Sequence, residues 1–128
     1  MWPETIYALI IVGSIFFAAV GIARRQRQQR IRRGVVMRAI IQWWDEENAQ
    51  TPNSEVGLTL RTASCLLAAD RYDDALEVLD WFWAPNDLPT AARVCGLRAM
   101  ALVYNAKGSK EAAEECHKWA NELLRSSS

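Results

Sequence analysis

Eighteen consecutive residues, Ile6 to Ala23 (IYALIIVGSIFFAAVGIA), carry no charge, and the rest of the chain has to be read around them. Wound as a helix at 1.5 Å per residue, the run covers about 27 Å, close to the ~30 Å hydrocarbon thickness of a bilayer. Trp2 and Tyr7 stand near its start, where amphipathic rings favour the headgroup level. Pro3 suits a first helical turn, where a missing N–H costs nothing.

The flanks decide between an anchor and a cleaved signal. Gly21-Ile22-Ala23 offers a small-x-small site, but a signal peptide carries positive charge ahead of its apolar run, and here the only charge ahead is Glu4. The positive charge follows instead, in Arg24, Arg25, Arg27, Arg30, Arg32 and Arg33, with no acid among them. Such a cluster stops transfer and touches anionic headgroups, so the short N-terminus is expected outside and residues 24–128 in the cytoplasm. The same run could be taken for a nucleic-acid patch, but it abuts a membrane segment and has no interleaved aromatics on which bases would stack. No nucleic-acid partner is expected. Within the anchor, Ser14, Ala18 and Gly21 fall on one small-residue stripe of the kind that lets membrane helices approach closely.

Net charge is zero only because two halves cancel. Residues 1–38 hold seven arginines against one acid, and residues 39–128 hold eight Lys+Arg against fourteen Asp+Glu. That excludes a uniformly basic binder, and the apolar content (51%) excludes a disordered acidic chain. Three cysteines without a CxxC pair make no disulfide framework or zinc ribbon, and a single histidine leaves little for metal or imidazole catalysis. No GxSxG, phosphate loop or Gly-rich turn occurs. Cys116 and His117 are neighbours in sequence and therefore diverge on a helix. His117 reads as a partly buried core imidazole, and Cys65, Cys95 and Cys116 as buried small side chains. No enzyme, cofactor or metal is expected.

Nothing from Ala23 to Gly34 breaks a helix. Beyond it Val36, Met37, Ile40, Ile41 and Trp44 recur at helical spacing, and this amphipathic segment is expected to cap the domain that follows. The stretch Asn48 to Ser54 punctuates the chain, with Pro52 disfavouring helix and Asn53 or Ser54 able to cap the next one. The domains expected are an anchor over 1–23, a basic stem with amphipathic helix over 24–49 and a helical domain over 50–128.

Four amphipathic stretches fill that domain, over about 55–69, 71–83, 89–107 and 110–124, with none alternating at period two. The fold class expected is all-α: one transmembrane helix, then a small array of antiparallel helix pairs. Pro89 falls in the first turn of the third stretch behind Asp87 as N-cap, and Gly108 ends it. Setting Ala75 against Ala113, 38 residues apart, also brings Ala63 onto Ala101, Leu66 onto Tyr104 and Asp70 onto Gly108. Within the second unit Leu97, Ala101, Tyr104, Gly108, Ala113 and Ala120 keep a spacing of large, small and aromatic residues that resembles the tetratricopeptide repeat. The first unit is degenerate, with Thr59 and Thr62 at large positions and Asp70 for the turn glycine. The resemblance covers about residues 55–124 and implies two helix pairs closely packed on Ala63, Ala75, Ala101, Ala113 and Ala120.

In Trp81-Phe82-Trp83, α-helical spacing puts Trp83 with Leu76 and Leu79 in the core and Trp81 beside Asp74 and Glu77 on a polar face, so Trp81 is the expected partner contact. Anchor, basic stem and repeats together describe an adaptor that docks a protein partner at the membrane. The same plan fits a permanent subunit of a membrane complex or a receptor for targeting peptides. It resembles N-anchored repeat proteins of the bacterial inner membrane and, alternatively, a mitochondrial outer-membrane receptor.

Overall fold

A computed structural model describes residues 2–47, 55–83 and 88–127, the side chains of Trp2 and Ser127 excepted. The headgroup reading of Trp2, the punctuation at 48–54 and the cap at Asp87 lie outside those residues. Five helices form, with no strand among the described residues: α1 (Trp2–Glu47), α2 (Glu55–Ala68), α3 (Tyr72–Leu79), α4 (Thr90–Lys107) and α5 (Lys110–Ser127). A 3-10 turn over Asp80–Trp83 follows α3. The fold is all-α, as the periodicity requires.

Two units divide the chain, Met1–Arg32 and Arg33–Ser128. The first is the opening part of α1. Its large apolar residues, Val20 excepted, are exposed, from Ile6 at 54% to Phe17 at 77%, and none of the apolar window is buried. A helix hydrophobic all round is stable only inside a protein or a bilayer, and this one is long and apolar enough to cross a membrane. Ser14, Ala18 and Gly21 lie on its surface, with open space where a Cβ would stand at Gly21. Arg24, Arg25, Arg27, Arg30 and Arg32 are exposed along it.

The second unit begins earlier than the expected boundary at residue 50. Helix α1 runs through Gly34 unbroken, and its C-terminal turns enter the core: Met37 is fully buried and Trp44 nearly so, with Ile40 and Ile41 packed against them. The segment is therefore part of the domain. Arg33 also belongs here: its guanidinium lies 5.9 Å from the centre of the Tyr72 ring and donates to the Tyr72 hydroxyl at 3.3 Å. This cation–π contact is one that an adjacent run of five arginines gives no way to anticipate.

Helices pack in chain order, α2 on α3, α3 on α4 and α4 on α5, with α2 also touching α4. Half of α4 is buried, from Ala92 to Val103, so it is the central helix. The five alanines singled out for the helix pairs lie at packed positions: Ala63, Ala75, Ala101 and Ala120 have no exposed surface and Ala113 almost none. Leu97 is buried beside them and Tyr104 half-buried. By contrast Thr59 and Thr62 occupy the outer side of α2 and return their hydroxyls to the carbonyls of Glu55 (2.7 Å) and Leu58 (2.9 Å).

The turns show the 38-residue register in hydrogen bonds. After α4, Gly108 N–H donates to Asn105 O at 3.2 Å and Ser109 N–H to Tyr104 O at 2.8 Å. After α2, Asp70 N–H donates to Leu67 O at 3.1 Å and Arg71 N–H to Leu66 O at 2.9 Å. Both are Schellman closures, which need a left-handed residue at the same place. Gly108 takes φ 93° there, and Asp70 takes φ 59°. Asp70 meets the same backbone demand as a glycine, and its carboxylate accepts from the Tyr72 hydroxyl at 3.0 Å. Pro89 sits one residue ahead of α4, at the N-cap with extended ψ 154°, and its carbonyl accepts from Ala92 N–H at 3.0 Å.

Candidate interaction surface

The WFW segment departs from the expected pattern. Helix α3 ends at Leu79, and the following residues wind as a 3-10 turn, which advances about 120° per residue instead of 100°. Phe82 then falls three residues after Leu79 on the same side, and both are buried. Trp83 rotates outward and is 44% exposed, its indole N–H donating to Met100 Sδ at 3.3 Å. Trp81 is half-buried, edge-on to the Phe82 ring with centroids 5.3 Å apart. The two tryptophans have exchanged roles: Trp81 packs against the core, and Trp83 faces solvent.

Phe82 is held by a close approach to α4. A Cβ on Gly96 would stand 2.6 Å from Phe82 Cγ, so only glycine lets the ring lie on that helix. This seat fixes where the turn presents Trp83.

Trp83 borders an apolar groove whose other walls are Leu97, Met100 and Tyr104 of α4 and Ala112, Glu115, Cys116 and Trp119 of α5. Trp119 is 54% exposed. Its exposed place is masked in the sequence because Glu115 and Glu122 flank it on α5, although Ala112, Cys116 and Leu123 share its stripe. Burial, and secondarily the charge of Glu115, raises the Cys116 thiol above its ordinary range. Such a surface can accept an apolar side chain between two indoles, while its polar edge carries negative charge.

A second apolar groove lies among Val36, Ala39, Ile40 and Trp43 of α1, Val94, Cys95 and Arg98 of α4, and Leu124 of α5. A third, shallow depression lies around Arg38, Gln42 and Asp45, where Asp45 pairs with Arg61 and Gln42 donates to Glu46 at 3.1 Å.

Of the cysteines, Cys95 and Cys116 are buried as expected, whereas Cys65 is exposed on α2. Burial drives the Cys95 thiol up to about 11, against a smaller opposing effect of Arg98. A raised thiol is a poor nucleophile at neutral pH. His117 is half-buried. Among the described residues no three His, Cys, Asp or Glu side chains gather where they could hold a metal ion. No known family model matches the chain, and no characterised protein or solved structure is significantly similar to it.

Proposed function

We propose that this chain is a membrane-anchored adaptor of the tetratricopeptide-repeat kind, which docks a protein partner at the cytoplasmic face of its membrane. The observation that carries the reading is the pair of half-exposed tryptophans, Trp83 and Trp119, flanking one apolar groove. Indole rings left in water on a folded domain are the side chains most often buried by partners. The repeat assignment is supported by the matched turn closures at Asp70 and Gly108 and by the buried alanines at equivalent places. The orientation, N-terminus outside, rests on the arginines that follow the apolar segment. Anchoring raises the effective concentration of the docking surface for partners at the same membrane.

Photocrosslinking from position 83 or 119 of the full-length protein in native membranes tests the reading. A discrete adduct, lost when the other tryptophan is replaced by alanine, is expected. Adducts to lipid alone from both positions would refute it. A second reading, a permanent subunit of a membrane complex, is favoured by the Ser14/Ala18/Gly21 stripe on the surface of the apolar helix. In that case the adduct survives detergent extraction at fixed stoichiometry on native sizing.

A further inference from the structure

The groove between Trp83 and Trp119 has a charged edge as well as an apolar floor. Glu111, Glu115 and Glu122 fall with Trp119 on one side of α5 by helical spacing, and all three are exposed. None of them enters an ion pair among the described residues. Two basic residues border this edge farther round α5 from Trp119, Lys118 (three after Glu115, four before Glu122) and Arg125 (three after Glu122), and Arg93 lies at the N-terminal end of the α4 stripe. Lys107, at the other end of that stripe, is engaged by Asp73 at 2.6 Å.

Charge narrows the choice of occupant. A second copy bound about a twofold axis would bring one acidic edge against its equal, which costs association. An anionic lipid surface is repelled by the same carboxylates. A cationic partner is attracted, and two indoles flanking a floor of Leu97 and Met100 suit the apolar stripe of a helix laid along the groove.

We propose that the Trp83–Trp119 groove takes an amphipathic helix of a partner protein whose apolar stripe is bordered by lysine or arginine. This rests on the docking reading above and gives the partner's chemistry. The acidic edge steers the approach and fixes the direction in which the helix lies, and the indoles hold its apolar side chains.

The test uses the full chain in nanodiscs of zwitterionic lipid, with three fluorescently labelled peptides of equal length. One is an amphipathic Leu/Lys helix, one its Leu/Glu counterpart and one a Leu/Gln counterpart. Fluorescence anisotropy is read for wild type, Trp119→Ala and the pair Glu115→Gln with Glu122→Gln. Trp119 is more than half exposed, so its removal leaves the fold in place, which a melting curve verifies. The Leu/Lys peptide is expected to bind, to lose about thirtyfold in affinity with Trp119→Ala, and to lose its salt dependence with the glutamine pair. Equal, Trp119-dependent binding of the Leu/Gln or Leu/Glu peptide overturns the basic partner while leaving the docking groove. Binding that no peptide makes dependent on Trp119 overturns the groove as a docking site as well. A dimer that Trp119→Ala dissociates makes the occupant a second copy and overturns the proposal.

Discussion

Replacing Gly96 by alanine should destabilise the domain, although it puts the best helix former in place of a poor one. In an open helix the change gains about 1 kcal/mol. Here the new methyl would stand 2.6, 2.8 and 2.9 Å from Phe82 Cγ, Cδ2 and Cδ1. Ordinary carbon contacts need roughly 3.5–4.0 Å, so the ring must retreat by about an ångström. Phe82 is 1% exposed and has nowhere to go without moving the turn. Overpacking of this size costs about 1–3 kcal/mol, leaving a net loss of up to ~2 kcal/mol. For a domain of this length that lowers the melting temperature by roughly 4–8 °C per kcal/mol. The discriminating measurement is a double-mutant cycle with Phe82→Ala by urea unfolding of residues 33–128. Phe82→Ala alone costs about 3–5 kcal/mol. With the ring gone, Gly96→Ala should change sign and stabilise by about 1 kcal/mol, a coupling of roughly 1–3 kcal/mol. Stabilisation by Gly96→Ala in the wild-type background would refute the close approach of the turn to α4.

A fragment starting at Arg33 should fold, and one starting at residue 50 should not hold its helices, because it lacks Met37 and Trp44; circular dichroism of the two compares them directly. Gly108→Ala should cost about 1 kcal/mol, since the left-handed turn remains obligatory, whereas Asp70→Gly should be neutral or stabilising by a few tenths of a kcal/mol, strain relief being offset by the lost contact to Tyr72 and the looser unfolded chain; thermal melts read both. The Cys95 thiol binds its proton more tightly when folded, so its contribution is complete below about pH 9 and disappears as pH rises toward 11; the loss, about 2–3 kcal/mol, should vanish in Cys95→Ala when urea midpoints are followed against pH. Cys65 should react with a maleimide at once in the native protein, and Cys95 only after unfolding, as mass spectrometry of a timed quench can count.

How much of this was legible in the sequence depended on whether a residue's neighbours followed one period. The register of Ala63, Ala75, Ala101 and Ala113 was readable because small residues at close helix crossings leave a spacing that tertiary packing preserves. The apolar run to Ala23 was readable by length alone. The exchange of Trp81 and Trp83 was not, because it depends on where α3 stops, and nothing between Tyr72 and Trp83 breaks a helix. The tightening into a 3-10 turn comes with the seating of Phe82 on Gly96, fourteen positions along the chain. The Arg33–Tyr72 contact was not legible for a related reason: six arginines in ten residues look alike until one of them meets a tyrosine from another helix. The early start of the domain was hinted at by the spacing of Met37, Ile40, Ile41 and Trp44, yet the Pro52 segment is the stronger punctuation and drew the boundary to itself.

The groove that joins Val36, Ile40 and Trp43 to Leu124 has a consequence in time. Its first wall is synthesised roughly 90 residues before its last, which at ~5–20 residues per second is about 5–18 s of translation. For most of that interval the nascent chain displays Val36, Ile40 and Trp43 without a complete α4 and α5 to lie against them. Slower decoding of the α4 and α5 codons lengthens the exposure, and a chain terminated before Leu124 never completes that wall. Yield in a cell is therefore expected to depend on elongation speed across the last third of the message, even for substitutions that leave the finished protein unchanged.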